Sequence, residues 1–256
     1  MSHFIVVPVA NTNDRCKGWL DDLLTSLRAG GYYKKDYRVL LCYDNCSMEF
    51  QQYFFDKYQG DMIAALNNQN PENLNFCKNV NTGLRQAFAM DAKHFTVLNM
   101  DTVLPKESVF KHVAGEGLSF PTPVGDIKDL QKTKPKDLTR TPVLKYSGFC
   151  MSFPRKLVET IGVLDERFVA GFEDDEISAR AGLAGFPVEV VNINVFHDQS
   201  HRDEHPSSTG AYSMADLGVG LGIYRRKWSI PAGMAHEDFN KWILENHTFR
   251  PELVCL

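Results

Sequence analysis

Short apolar runs alternate along the chain with segments whose apolar residues recur at helical spacing. Runs of this length that are rich in β-branched and aromatic residues predict buried strands, whereas apolar residues three and four positions apart predict helices. The predicted strands cover residues 4–9, 37–43, 61–66, 95–98, 146–153 and 188–196, and the predicted helices cover residues 14–29, 48–58, 76–90, 105–113, 154–161 and 173–184. This alternation predicts an α/β fold with a mostly parallel sheet, flanking helices and right-handed crossovers.

The strand predicted at residues 95–98 ends abruptly in polar residues. Asn99 and Asp101 follow it, before another apolar pair and Pro105. Ligands of open α/β sheets bind outside the carboxyl ends of the strands, so Asp101 is the first candidate for a metal ligand. An equally open interpretation is that Asn99 and Asp101 only shape a turn and cap a helix that begins near Pro105.

Two further polar features lie at the ends of predicted elements. His197 comes directly after the strand at residues 188–196, where it can converge with Asp101 on one metal ion, although a lone histidine is more often structural. Four acidic side chains occupy the start of a helix at residues 173–176. The helix macrodipole favours acids there, yet four together repel one another unless a cation or a proton-transfer role explains some of them.

The composition is that of an ordinary globular protein with a substantial core. A length of 256 residues with 43% hydrophobic residues fits one large domain or two small ones. No apolar run approaches bilayer length, and residues 4–7 form an apolar run with no basic region or cleavage site before it, which predicts a cytoplasmic protein without a transmembrane segment. The six cysteines show no metal-ligand spacing, so we predict reduced, mostly buried thiols rather than a zinc site or a disulfide framework.

Charge is distributed unevenly along the chain. The net charge of -4 argues against a surface that binds nucleic acid generally. Residues 126–145 are nevertheless locally basic, with six Lys or Arg residues against three aspartates. They predict a mobile surface segment that is either only solvated or binds an acidic acceptor. Residues 211–256 are interpreted as a short helical appendage packed on a domain formed by residues 1–210.

Several motifs occur in an order and spacing that resemble one family of enzymes. These motifs are Val7-Pro8-Val9-Ala10-Asn11, Tyr43-Asp44-Asn45-Cys46-Ser47, Asn73-Leu74-Asn75-Phe76 with Asn81-Thr82-Gly83-Leu84, Leu98-Asn99-Met100-Asp101, Gly148-Phe149, Leu164-Asp165-Glu166-Arg167-Phe168, Phe172-Glu173-Asp174-Asp175 and His197. Together they resemble the inverting, nucleotide-sugar-dependent glycosyltransferases of the GT-A fold, a family 2-like group, over about residues 4–200. Asn75 stands where that family usually has glycine.

The resemblance implies that a sugar moves from a nucleotide-diphosphate donor, with UDP favoured, to a hydroxyl acceptor. It implies a divalent cation, Mn²⁺ or Mg²⁺, bound by Asp101 and His197, and it gives Asp174 the role of catalytic base with Glu173 beside it. The residues expected to contact the donor are Pro8, Val9, Asn11, Asp44, which faces the uracil, Asn81 and Asn99. Arg202, or its neighbour His201, is placed after His197 to close over the diphosphate.

Two other functions stay open at this point. A nucleotidyltransferase would also use carboxylates and a metal at a sheet edge, but it normally needs a glycine-rich and basic loop after the first strand, and residues 10–14 do not form one. A non-catalytic relative that binds nucleotide sugars or glycans is the third possibility, against which the intact Glu173-Asp174 pair argues. The acceptor is open among a glycan, a wall polymer and a modified nucleic-acid base, and neither the sugar nor the oligomeric state is predicted.

Overall fold

The computed structural model of the chain describes residues 2–10, 14–34, 36–60, 62–68, 75–106, 109–130, 138–169, 171–198, 214–250 and 252. The strands are β1 (His3–Ala10), β2 (Tyr37–Asp44), β3 (Met62–Asn68), β4 (His94–Leu98), β5 (Thr102–Val103), β6 (Leu118–Val124), β7 (Arg140–Pro142), β8 (Cys150–Pro154) and β9 (Val188–His197). The α-helices are α1 (Asp14–Ala29), α2 (Met48–Lys57), α3 (Phe76–Ala89), α4 (Val109–Val113), α5 (Ile127–Leu130), α6 (Arg155–Ile161), α7 (Glu173–Leu183), α8 (Met214–Lys227) and α9 (Phe239–Asn246).

The described strands form one mixed sheet in the order β3-β2-β1-β4-β8-β6-β9-β5, with β7 also paired to β9. Strands β1 to β4, β6 and β9 run in one direction, while β5, β7 and β8 run in the other. The predicted α/β fold with a mostly parallel sheet and flanking helices is therefore confirmed. Because most strands are parallel, their carboxyl ends share one edge, and this edge carries the polar residues singled out above.

The two faces of the sheet are covered by different helices because successive side chains of a strand point to opposite sides. On β1, Phe4 and Val6 belong to a core cluster that also contains residues of α3, α6, α7, α8 and α9. Ile5 and Val7 belong to a second cluster, with residues of α1, α2 and α4. Helix α3 lies very close to the sheet at Gly83, where a Cβ atom would stand 2.5 Å from Cys42 Sγ.

Two asparagines of the α3 region are structural. Asn75 caps the helix, because its side chain accepts a hydrogen bond from the Lys78 N–H at 2.8 Å. Asn81 was expected to contact the donor, but its side chain has no exposed surface. Its amide donates to Leu164 O at 2.8 Å and accepts from Leu164 N at 3.0 Å. These bonds hold the segment before α7 to α3, and a contact of Asn81 with a donor stays a prediction.

The C-terminal helices α8 and α9 pack against α7 as part of the same core cluster. Tyr224 and Trp228, which flank three basic residues in the sequence, are fully buried. The boundary proposed between residues 210 and 211 lies outside the described residues. Among the described residues, no helix combines the length and apolarity needed to cross a membrane.

Two smaller expectations concern the cysteines and the loop after β3. Five cysteines are free and buried, at positions 16, 42, 46, 77 and 150, as predicted, whereas Cys255 lies outside the described residues. The loop predicted at residues 67–73 begins later than expected, because β3 continues to Asn68, which pairs with Asp44.

Candidate active site

The pairing of β5 with β9 brings Asp101 and His197 together. Strand β4 ends at Leu98, the chain turns through residues 99–101, and Thr102 then pairs with His197 in antiparallel register. A backbone hydrogen bond of 3.0 Å from Asp198 N to Asp101 O closes this corner. As a result His197 Nε2 lies 3.4 Å from Asp101 Oδ2, and both residues are buried, with 3% and 8% of their surface exposed.

The surroundings of this pair fit a divalent cation. The imidazole of His197 stacks on the ring of Phe149 with centroids 4.7 Å apart, which fixes its plane. Asn99 is held by its backbone N–H, which donates to Phe149 O at 2.9 Å, but its side-chain Oδ1 is buried and has no hydrogen-bond partner among the described residues. The orphaned amide oxygen and the carboxylate are the oxygen ligands that Mg²⁺ and Mn²⁺ prefer, whereas the imidazole nitrogen suits a transition-metal ion such as Mn²⁺ better than Mg²⁺.

The protein itself supplies few ligands at this corner. Within the described part of the chain there is no group of three or more His, Cys, Asp or Glu side chains arranged around a metal position. Octahedral cations of this class commonly keep several waters or substrate phosphates beside one or two carboxylates. The Asp101–His197 pair therefore fits a cation that a ligand helps to bind, rather than a structural metal site.

The four acidic residues at the start of α7 divide into two pairs with different environments. The carboxylate of Asp175 lies 3.1 Å from Lys145 Nζ and 3.1 Å from His236 Nε2. Glu176, which is fully buried, is paired with Arg180 at 2.7 Å and with Lys227 at 2.5 Å. Lysine or arginine side chains thus lie beside two of the four acids. They reduce the electrostatic repulsion that the sequence leads one to expect among the four carboxylates.

Glu173 and Asp174 form the other pair, and no cationic side chain in the described part of the chain lies within ion-pair distance of either one. Backbone N–H groups hold Asp174 instead: Gly148 N donates to its Oδ2 at 3.0 Å and Asp175 N to its Oδ1 at 2.9 Å. Burial and, second, the charge of Asp175 raise the pKa of Asp174 above the usual range of an aspartate. Burial and the neighbouring Asp174 likewise raise the pKa of Glu173.

The backbone before α7 sets these carboxylates at a sharp turn. Gly171 and Phe172 both have φ of +69°, the left-handed region that a phenylalanine rarely adopts. The ring of Phe172 packs on Tyr224 and on His236, with centroids 5.7 and 5.1 Å away, and these contacts hold the unusual conformation. Strained backbone of this kind is concentrated at functional sites.

Residues Gly148 and Phe149 connect the two halves of the site. The N–H of Gly148 holds Asp174, while the ring of Phe149 stacks on His197. A side chain at position 148 would crowd this arrangement, because a Cβ atom there would stand 3.1 Å from Asp174 Cβ. Gly148 and Phe149 thus contact both Asp174, which has no cationic partner among the described residues, and His197 in the corner that fits a cation.

Of the residues predicted to contact the donor, Asp44 lies at the end of β2, Pro8 and Val9 lie on β1, and the others named here lie outside the described residues. Asp44 ends β2 at the carboxyl edge and is 4% exposed. Pro8 is half-buried on β1, and the side chain of Val9 is fully buried, so Val9 can meet a ligand only through its backbone. Asn11 and Arg202 lie outside the described residues, as does His201.

The basic segment differs from the expected mobile surface. Arg140 lies in β7, where its guanidinium donates to His112 O at 2.6 Å and to Glu189 Oε2 at 3.1 Å. Lys145 is held by Asp175, as described above. These two cations are therefore paired within the protein, and binding of an acceptor by the segment stays a prediction. Residues 131–137, with three of its lysines, lie outside the described residues.

No protein-family model matches the chain, and no curated protein matches it. Solved structures do match. The Staphylococcus aureus protein TarS (residues 1–349, in complex with UDP-GlcNAc) superimposes with a TM-score of 0.65 at 16% identity, over 95% of this chain and 70% of that one. The chain has the fold of these glycosyltransferases. This confirms the GT-A fold expected from the motifs.

Two further glycosyltransferase structures share the fold. GalNAc-T7 with UDP, GalNAc and Mn²⁺ has a TM-score of 0.60 at 14% identity, over 90% of this chain and 48% of that one. The mannosyltransferase PcManGT from Pyrobaculum calidifontis with GDP-Man and Mn²⁺ has a TM-score of 0.62 at 13% identity, over 95% of this chain and 68% of that one. The chain thus spans about half of GalNAc-T7 and about two thirds of the other two.

Sequence reasoning missed the residues that contact the carboxylate of Asp175. Lys145 ends a basic run that reads as a solvated segment, and His236 stands alone between two helices. No local signal marks either residue, because Asp175 lies 30 positions after Lys145 and 61 positions before His236.

Proposed function

We propose that the chain is a metal-dependent inverting glycosyltransferase that moves a sugar from a nucleoside-diphosphate donor to a hydroxyl acceptor. The observation that carries the proposal is the arrangement around Gly148 and Phe149. This dipeptide holds the carboxylate of Asp174 on one side and the imidazole of His197, next to Asp101, on the other. An inverting transfer needs both parts at one edge, a charge-stabilising corner for the leaving diphosphate and a base for the acceptor.

Asp101 and His197 would hold the cation, and the orphaned Oδ1 of Asn99 lies two residues before Asp101. A divalent cation, Mn²⁺ or Mg²⁺, when bound, stabilises the negative charge that builds on the diphosphate as the sugar-phosphate bond breaks. Asp44, at the end of β2, is proposed to face the base of the nucleotide, with uracil favoured. The backbone of Pro8 and Val9 borders the same edge from β1.

Asp174 is the proposed general base. It accepts the proton of the acceptor hydroxyl as that oxygen attacks the anomeric carbon, while the bond from that carbon to the diphosphate oxygen breaks on the opposite side. The two N–H groups from Gly148 and Asp175 orient its carboxylate. Its raised pKa makes it a better proton acceptor than an ordinary aspartate. Glu173 is proposed to adjust this proton affinity.

The structures with the same fold support the donor class. They were solved with UDP-GlcNAc, with UDP and GalNAc, and with GDP-Man, and two of them contain Mn²⁺. These ligands belong to those proteins, and for this chain they favour a nucleotide sugar over a nucleoside triphosphate. The nucleotidyltransferase alternative is therefore the weaker one.

The test begins with a thermal-shift screen of UDP- and GDP-sugars with Mn²⁺, because a ligand that binds only the folded state raises the melting temperature. With the selected donor, Asp174→Asn should keep donor affinity in calorimetry and lose transfer by roughly a hundredfold to ten-thousandfold, with hydrolysis of the donor by water as the readout while the acceptor is unidentified. Proton NMR of the released sugar should show the inverted anomer.

The matched control is Asp91→Asn, an exposed aspartate beside the start of β4, at the opposite edge of the sheet. It should leave turnover unchanged. Normal turnover in Asp174→Asn would end the assignment of the base, and binding of nucleotide sugars without any turnover in the unaltered protein would favour the non-catalytic alternative.

A further inference from the structure

Contacts from the C-terminal part of the chain converge on the residue next to the proposed base. The carboxylate of Asp175 forms an ion pair with Lys145, whose Nζ lies 3.1 Å from Oδ1 without hydrogen-bond geometry, and its Oδ2 lies within hydrogen-bond distance of His236 Nε2, also at 3.1 Å. Its backbone carbonyl accepts a hydrogen bond from Asn240 Nδ2 at 3.3 Å, and the Tyr224 hydroxyl, which donates to Asn240 Oδ1, lies 3.4 Å from the same carbonyl. Asp175 is therefore fixed by both its side chain and its main chain.

The main-chain anchorage also reaches the segment that carries Gly148. Asn240 Nδ2 lies 2.9 Å from Leu144 O as well as 3.3 Å from Asp175 O, so one amide group joins the two segments. The Tyr224 hydroxyl hydrogen-bonds Asn240 Oδ1 and orients that amide. Helices α8 and α9 thus hold together the two pieces of backbone whose N–H groups bind Asp174.

A single nitrogen of His236 faces two partners with opposite requirements. Its Nε2 lies 2.9 Å from Lys145 Nζ and 3.1 Å from Asp175 Oδ2. A neutral imidazole with the proton on Nδ1 accepts from the lysine, whereas an imidazole with a proton on Nε2 donates to the carboxylate. The two arrangements differ in which ring nitrogen carries a proton, and the side chain of His236 is 48% exposed.

We propose that Lys145 and His236 are positioning residues for Asp174, which hold the start of α7 through Asp175, and that the ammonium of Lys145 offsets the negative charge beside the base. This inference rests on the proposed role of Asp174. It gives the C-terminal helices a part in the reaction, because His236, Asn240 and Tyr224 all belong to them or to the turn between them.

The charged and titratable groups around Asp175 decide the direction of the effect. On α7 these are Glu173, Asp174 and Glu176, and Glu176 is already paired with Arg180 and Lys227. From the other elements, Lys145, His236 and the Tyr224 hydroxyl face Asp175, while Phe172 and Phe239 pack on the His236 ring. Since Asp175 is one of the groups that raise the pKa of Asp174, removing a cation from Asp175 should raise that pKa further.

The experiment compares Lys145→Met and His236→Gln with the unaltered protein. The first readout is the carboxyl ¹³C NMR titration of Asp174 in the unliganded protein, with its signal assigned by its loss in Asp174→Asn. We expect Lys145→Met to move the titration midpoint up by about 0.5 pH unit or more, and His236→Gln to move it in the same direction by less. The second readout is the dependence of kcat on pH, measured with Mn²⁺ and the nucleotide sugar selected in the thermal-shift screen. The acid limb of this profile should move by the same amount as the NMR midpoint, while KM for the donor changes little.

Lys93→Met is the matched control. It removes one lysine from a surface ion pair with Asp91, beside the amino end of β4, and it should leave both readouts in place. A midpoint in Lys145→Met that moves no more than in Lys93→Met overturns the inference. If Lys145→Met does not fold, His236→Gln decides it in the same way, since this side chain is half exposed.

The outcomes also separate this inference from the proposed function. If Asp174→Asn retains normal turnover, the proposed function fails, whatever the NMR titration shows. If Asp174→Asn abolishes turnover while the Asp174 midpoint is the same in all lysine and histidine variants, only the role of Lys145 and His236 is refuted.

Discussion

Replacing Arg180 with methionine should cost more stability than any other single loss of charge near α7. Its fully buried guanidinium binds Glu176 at two nitrogens, with distances of 2.7 to 2.9 Å, and donates to the carbonyls of Ile161 and Val163. Methionine has a comparable apolar length but no donor. Arg180→Met therefore leaves two buried carbonyls without their donor and removes one of the two cations that face the buried Glu176.

The magnitude follows from these losses. Breaking a buried ion pair by removing one partner costs about 3 to 5 kcal/mol, and each buried acceptor left without a donor costs about 1 to 3 kcal/mol. Lys227 stays beside Glu176 and reduces the first cost, and the terms are not additive. We expect the free energy of unfolding to fall by about 4 to 6 kcal/mol, which is a large part of the roughly 5 to 15 kcal/mol of a typical protein.

The matched comparison is Lys227→Met, which removes a cation from the same cluster. Its ammonium lies 2.8 Å from the carboxylate of Asp165 and 2.5 Å from that of Glu176. After its removal Asp165 still has Arg167 at 2.6 Å, and Glu176 still has Arg180 at 2.7 Å. Burial alone would raise the pKa of Asp165, yet hydrogen bonds from Arg167 and Lys227 outweigh it and hold this pKa well below its usual range. We expect a loss of only about 1 to 2 kcal/mol, because no buried carboxylate is left without a cation.

Urea unfolding followed by circular dichroism at pH 7 measures both losses, with a common slope as the check that one transition is compared. In thermal scans the difference should appear as roughly 2 to 4 °C per kcal/mol for a chain of this size. If the methionine variant is too unstable to purify, Arg180→Lys is measured in its place. Lysine keeps the positive charge but cannot form the bidentate contact of the guanidinium with Glu176. Equal losses for Arg180→Met and Lys227→Met would refute the reasoning.

Two further predictions concern the metal corner and the pH dependence of stability. Asp101→Ala should remove most of the Mn²⁺-dependent part of donor binding in calorimetry, because it takes away the carboxylate 3.4 Å from His197, and unchanged affinity with unchanged metal dependence would contradict the metal assignment. Burial and, second, the charge of His94 lower the pKa of His3 from 6.5 to about 3, so the unfolded chain binds a proton that the folded protein does not. This contribution to stability is complete above about pH 6.5 and is lost as the pH falls toward 3, at up to about 1.4 kcal/mol per pH unit. Urea unfolding of His3→Gln should show a correspondingly shallower pH dependence, and parallel curves for the two proteins would count against it.

The chain by itself determined the local elements and the places where chemistry can occur. Apolar periodicity is a property of neighbouring residues, so it located the strands around Asp101 and His197 and the helix that begins at Glu173. Parallel strand direction then put their carboxyl ends at one edge, and the motif order pointed to the fold that the solved structures share. These inferences needed no knowledge of contacts between distant segments.

Only the tertiary structure decided which polar residues come together at the candidate site and which form hydrogen bonds or ion pairs inside the protein. The antiparallel pairing of Thr102 with His197 joins Asp101 to its partner across 96 positions, and no local pattern specifies that register. Asn81 matched a donor-binding motif, yet it is buried on the Leu164 backbone because α3 packs against that segment. Four adjacent acids look alike in sequence, and they differ in the folded protein because Lys145, His236, Arg180 and Lys227 reach only two of them. The physical reason is that burial and ion pairing depend on distances through space, whereas periodicity records only distances along the chain.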